Sequence, residues 1–199
     1  MLNQTQQTAA NVQTIEQTIE DQQQQERETV FNSEHQFYAC PYSWNLQGFY
    51  FHGQEDYGSK LKRAQAVDPS GDFEHEVEFI DGDADLWSLS GQSLSVYFEQ
   101  LEDWEALSDE EKAIVKHLAQ NQGLSLPEAL ERLEYVQWQH GSTKDAAYDW
   151  AKFCFSLDGV ALQYFDCEAF ARDCVLNGEW TELYLGQGEY LTIINEHNH

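Results

Sequence analysis

Basic side chains are scarce in this chain: ten Lys and Arg stand against 36 Asp and Glu, a formal net charge of -26 over 199 residues. A compact fold with that charge repels itself, and it repels nucleic acid and anionic membrane as partners, leaving basic protein surfaces and cations. No apolar run approaches the ~20 residues needed to span a bilayer. Residues 1–30 hold neither the apolar core nor the basic start of a secretory signal. The four cysteines, Cys40, Cys154, Cys167 and Cys174, show no CxxC spacing. With no signal ahead of them they read as reduced thiols of a cytoplasmic protein. Cys167 and Cys174 stand seven apart, on one face of a helix, and are expected as core thiols rather than a metal or redox pair. There is no HExxH, no GxSxG and no phosphate-cradling glycine loop, and His35, His52, His75, His117, His140, His197 and His199 are scattered. A glycosidase-like carboxylate pair exists by count in any chain this acidic, yet nothing singles out two of 36. The expectation is a non-enzyme without metal or cofactor.

What is present is aromatic: eleven Phe, ten Tyr and six Trp within an apolar fraction of 41%. That is too much apolar material for a disordered acidic tail, so most of the chain is expected to fold. Residues 1–36 are the exception, rich in Gln, Thr, Asn and Glu with the run Gln22–Gln25, and are expected as a disordered extension. The body from Phe37 onward reads as α+β: an elongated chain of three small domains over 37–90, 91–140 and 141–199. Phe37–Cys40 and Gly48–Phe51 read as strands around Pro41, and Glu55–Ala66 as a helix stopped by Asp68-Pro69-Ser70-Gly71. Over Phe73–Ile80 the alternation sends Phe73, His75, Val77 and Phe79 one way and Glu74, Glu76 and Glu78 the other. Helices are expected from Ser93, from the capping pattern Ser108/Glu111 to Gly123, and from Ser125-Leu126-Pro127-Glu128. A short strand at Tyr135–Trp138, a helix over Ser142–Phe155, a helix capped by Asp166 and a hairpin around Gly186-Gln187-Gly188 complete the reading.

The negative charge is concentrated. No Lys or Arg stands between Arg63 and Lys112, while Asp68, Asp72, Glu74, Glu76, Glu78, Asp81, Asp83, Asp85, Glu99, Glu102, Asp103, Glu105, Asp109, Glu110 and Glu111 all do. An ordinary solvated face mixes both signs, because opposite charges at i,i+4 relieve repulsion. Three readings stand. A salt-adapted surface would spread acids evenly over the chain. A calcium loop matches the start Asp81-Gly82-Asp83-Ala84-Asp85 but carries Gln92 where the bidentate Glu belongs. Phosphate mimicry fits the spacing. Duplex DNA presents one charge per ~1.7 Å of axis. Alternate strand positions recur every ~7 Å, and helical acids three or four apart lie ~5–6 Å apart. Such an array would occupy a cationic DNA-binding groove by charge and shape.

Three stretches resemble the ArdA antirestriction family: Phe37-Tyr38-Ala39-Cys40-Pro41-Tyr42 with Gly48-Phe49-Tyr50-Phe51 and Tyr57, Glu76-Val77-Glu78-Phe79-Ile80-Asp81, and Leu162–Asp173. The last is the most specific, similar to the family's Y-[IF]-D-x-E-A-[FI]-A-R-D segment, and the resemblance spans roughly Phe37 to Ile194. It implies a curved three-domain protein that dimerises head to head through its C-terminal region. It implies mimicry of bent B-form DNA, inhibiting type I restriction–modification enzymes by occupying the DNA-binding core of their specificity and methyltransferase subunits. Tyr164, Phe165, Asp166, Glu168, Phe170, Arg172 and Asp173 then belong to the antirestriction and dimer region. No direct nucleic-acid or membrane binding is implied. The Gln-rich start and the bases Arg132, Lys144 and Lys152 depart from the family pattern, which leaves open another DNA-binding defence or nucleoid protein as target, or a generic acidic interaction module.

Overall fold

The structure, a computed structural model, describes residues 35–194. The fold is α+β, with eight helices and two three-stranded antiparallel sheets among the described residues. The extension expected over 1–36 lies outside the described residues except at its end, and there Gln36 is already the first residue of a strand. The chain divides into two compact units, one holding 35–88 and 93–98 of the described residues, the other 89–92 and 99–194.

In the first unit, β1 (Gln36–Pro41), β2 (Phe49–Phe51) and β3 (His75–Asp81) form a sheet in the order β2-β1-β3. Phe37 pairs with Phe51 and Phe79, so the phenylalanines of all three strands share one face. Helix α1 (Gln54–Val67) sends Tyr57 onto Phe49 and Phe51. The short helix α2 (Ala84–Leu89) and the first turn of α3 (Leu94–Glu105) bring Trp87, Tyr97 and Phe98 onto Phe37. Each buried aromatic contributes ~1.5–3 kcal/mol by leaving water. The alternation read along β3 holds: His75, Val77 and Phe79 are half-buried while Glu76 and Glu78 are exposed. Ile80 falls at a register shift opposite Gln36/Phe37 and is exposed. Helix α1 ends where Asp68 turns the chain. Its carboxylate accepts the backbone N–H groups of Ser70 (2.8 Å) and Phe73 (2.8 Å). These bonds hold Phe73 at φ 44, an unfavourable region for a bulky residue, with its ring buried and stacked on Phe49.

The second unit contains the rest of α3, then α4 (Asp109–Gln122) and α5 (Leu126–Leu133), which pack together through Ile114, Val115, Leu118, Leu126 and Ala129. Both capping patterns read from the sequence form: Ser108 N donates to Glu111 (2.8 Å) and Ser125 N to Glu128 (2.9 Å). Gly123 ends α4 in the left-handed conformation, φ 69, where a Cβ would be strained. Then follow β4 (Trp138–His140), α6 (Thr143–Phe153), the short α7 (Gly159–Gln163), α8 (Cys167–Leu176), β5 (Thr181–Gly186) and β6 (Glu189–Ile193). Their sheet runs β4-β6-β5. Helices α6 and α8 meet over Ala146, Ala147, Ala171, Cys174 and Trp180; the alanines permit close approach and the tryptophan fills the remaining volume.

One expectation is corrected here. The strand expected at Tyr135–Trp138 begins at Trp138, because Tyr135 and Val136 close a turn on the carbonyls of Arg132 and Leu133. Trp138, Gln139 and His140 pair with Ile193, Thr192 and Leu191 of β6 within the second unit. That pairing ties the end of the helical stretch into the C-terminal sheet.

Candidate acidic interaction surface

In the first unit β3 is an edge strand, and its outward row of Glu74, Glu76 and Glu78 is exposed. A strand repeat places these carboxylates ~7 Å apart. Glu78 stands opposite Tyr38 and Glu76 opposite Cys40 across β1. Burial leads in pushing the Tyr38 phenol above its ordinary range, with smaller electrostatic contributions from Cys40, Tyr50 and Glu78. Asp72, Asp81 and Asp85 are also exposed.

Three acids of this stretch accept local backbone hydrogen bonds. Backbone N–H donation from Ser70 leads in holding the Asp68 carboxyl below its usual range, reinforced by the Ser70 hydroxyl and the N–H of Phe73. Asp83 Oδ1 accepts from Leu86 N (2.9 Å) at the start of α2, and Asp81 Oδ1 accepts from Gly82 N (2.9 Å). The calcium-like run is therefore built into a turn that starts a helix, and no group of three or more metal-ligating side chains gathers among the described residues.

In the second unit Glu99, Glu102, Asp103 and Glu105 are exposed along α3, with Trp104 buried beneath them. Asp109 is exposed at the start of α4. Lys112, which closes the base-free interval, lies 5.5 Å from the centre of the Trp104 ring. Glu111 is bonded into the Ser108 cap. Glu110 is half-buried, its carboxyl held low first by its own backbone N–H and then by Ser108 and by His140, whose Nε2 is 3.9 Å away. Of the fifteen acids singled out in the sequence, Asp68, Asp83, Glu110 and Glu111 are thus half-buried in local hydrogen bonds and the others are exposed.

The segment Tyr164–Asp173 divides in the same way. Asp166 caps α8, accepting from Ala169 N (3.0 Å). Phe165 and Phe170 meet at 5.5 Å, and Phe170 meets Trp180 at 5.6 Å. Glu168 binds Lys144 of α6. Tyr164 is 85% exposed, and Arg172 and Asp173 face solvent 3.7 Å apart. Val160, one turn before Tyr164, is exposed too, as are Phe153, Phe155 and Leu176. Cys174 is buried, its thiol pushed up by burial and then by Glu179, and Cys167 packs on the same cluster. Cys40, Cys154, Cys167 and Cys174 are all free thiols.

Sequence reasoning missed the aromatic loop between β1 and β2, where Trp44 is 96% exposed and Tyr42 is exposed beside it. It also missed the Ser142/Asp145 capping box, although the S-x-x-D spacing was there to be read. No helix among the described residues is long and apolar enough to cross a membrane. Comparison with protein-family models, with curated proteins and with solved structures finds no match for this chain.

Proposed function

We propose that this chain is a non-enzymatic DNA mimic of the ArdA type, acting in the cytoplasm as a homodimer against type I restriction–modification enzymes. The observation that carries the reading is the base-free interval from Arg63 to Lys112, whose acids stand mostly exposed on the edge of β3 and along α3. The resemblance of Phe37–Tyr42, Glu76–Asp81 and Leu162–Asp173 to that family supports it. In this reading the carboxylates of each unit take the places of phosphates in the groove formed by specificity and methyltransferase subunits. Pairing with the enzyme's lysines and arginines releases cations held around the acidic array, as neutralising DNA phosphates does. The exposed apolar side chains of Val160, Tyr164 and Leu176 supply a surface for the second copy.

The test is inhibition of cleavage and of methylation by a purified type I enzyme, with a gel-shift control for DNA binding by the chain itself. Inhibition without DNA binding, weakening steeply as salt rises, is the expected result. Glutamine at Glu74, Glu76, Glu78, Glu99 and Glu102 should erode inhibition step by step. Undiminished inhibition by that five-fold variant would refute phosphate mimicry.

A further inference from the structure

Within the first unit, every ring brought by α1, α2 and α3 lies on the phenylalanine face of the sheet. The other face carries a row formed by Tyr50, Tyr38 and Glu78, in register across β2, β1 and β3, and beside it the pair Cys40 and Glu76. The rings of Tyr38 and Tyr50 are 4.7 Å apart. The loop from Tyr42 to Gln47 borders this face and is held by Ser43 Oγ donating to Asn45 Oδ1 (2.6 Å) and Leu46 N donating to Ser43 O (3.1 Å). Between loop and sheet lies an open groove of about 420 Å³, lined by Tyr38, Cys40, Pro41, Trp44, Leu46 and Gly48. Gly48 is required there, because a Cβ would collide with the Tyr38 hydroxyl and the Ala39 carbonyl. A tryptophan in solvent, two tyrosines in ring contact, a groove and two exposed carboxylates thus share one face.

We propose that this face docks an arginine-rich segment of a protein partner, its guanidinium groups stacking on Trp44, Tyr38 and Tyr50 while Glu76 and Glu78 receive their charge. The proposal rests on the reading that the partner is a basic protein surface, and it adds a chemistry that charge mimicry lacks. A planar guanidinium stacks on an aromatic ring and bonds a carboxylate with its edge, whereas an ammonium is a compact, strongly hydrated charge. An apolar occupant would strip water from Glu76 and Glu78 without replacing it. Nucleic-acid bases would stack on the rings, but their phosphates would meet the carboxylates. A second copy using the same face would set acid against acid. Lys60, which reaches the Tyr50 carbonyl (3.0 Å), is also engaged by Asp56 (3.1 Å).

The experiment titrates the full chain with hexa-arginine and with hexalysine, following affinity by calorimetry and the Trp44 indole N–H resonance by NMR, assigned by its loss in Trp44→Ala. Hexa-arginine is expected to bind about 3- to 10-fold more tightly than hexalysine and to shift the Trp44 resonance, which hexalysine leaves in place. Trp44→Ala, nearly all solvent-exposed and thus expected to keep the parent thermal midpoint, should reduce that preference, and Trp44→Ala with Tyr50→Ala should abolish it. Equal affinities for the two peptides, an unmoved Trp44 resonance, or an arginine preference surviving in the double variant would each overturn the proposal. The outcome is separable from that of the restriction assay. An arginine preference without inhibition refutes the mimic reading alone, and inhibition without an arginine preference refutes the docking face alone.

Discussion

Lys144, in the first turn of α6, donates a hydrogen bond to the Glu168 carboxylate in the first turn of α8. The Glu168 carboxylate leads in holding the Lys144 ammonium above its usual range. One of the acids in the family-like segment is thereby neutralised within its own unit. Both side chains are well exposed, and exposed pairs of this kind add little to stability. Glu168→Gln is expected to leave the thermal midpoint and any inhibition of a type I enzyme close to the parent values. Parallel melting curves and cleavage assays beside Glu76→Gln check this, since Glu76 has no ion pair among the described residues.

The polar side chains that hold the backbone should behave differently from those that only face water. Ser108→Ala removes the acceptor for Glu111 N and is expected to cost ~1 kcal/mol of unfolding free energy. Asp68→Asn leaves one acceptor oxygen for the two N–H groups of Ser70 and Phe73, so the strained turn at Phe73 should loosen and the midpoint fall. Glu74→Gln, with no bond to the backbone among the described residues, should leave stability near that of the parent. Urea unfolding of the three variants distinguishes the two groups.

Acid pH should act on the caps. Asp145 is held below its ordinary value first by the Ser142 hydroxyl and then by the Ser142 backbone N–H; Glu128 is lowered by the same two donors of Ser125. A carboxyl whose folded value is depressed contributes stability that is complete above its ordinary, unfolded value and is lost as pH falls through the folded value. The stability difference between the parent and Asp145→Asn should therefore be constant near neutrality and shrink as pH drops below the ordinary carboxylate range. Denaturant midpoints of both proteins across that range measure it. A difference that grew on acidification would contradict the assignment.

The first unit depends on one ring. Phe37 is 0% exposed and meets Phe51, Phe79, Trp87, Tyr97 and Phe98 at centroid distances between 5.2 and 5.6 Å. Phe37→Ala is expected to destabilise this unit by ~3–5 kcal/mol, from lost transfer energy and the cavity left behind. Hydrogen exchange resolved by residue should show the loss in β1, β2 and β3, with the Ala146–Trp180 cluster of the other unit keeping its protection.

Much of the local structure could be read without coordinates, because its causes are local. The period of two along Glu74, Glu76 and Glu78 follows from the pleat, and Ser108 with Glu111 or Asp166 ahead of α8 follows from the unsatisfied N–H groups of a helix start. The accumulation of acids between Arg63 and Lys112 is a property of the chain itself. Which of those acids are spent was settled by the fold. Asp68 reaches an N–H five residues on only because the chain turns back there, and Glu110 nears His140 only because α4 and β4 meet within one unit. Likewise β4 finds β6 some fifty residues later, and Tyr38, Tyr50 and Glu78 become one row only through strand register. Charge and periodicity are written residue by residue, whereas the neighbours that neutralise a carboxylate or flank an aromatic ring are chosen by long-range pairing.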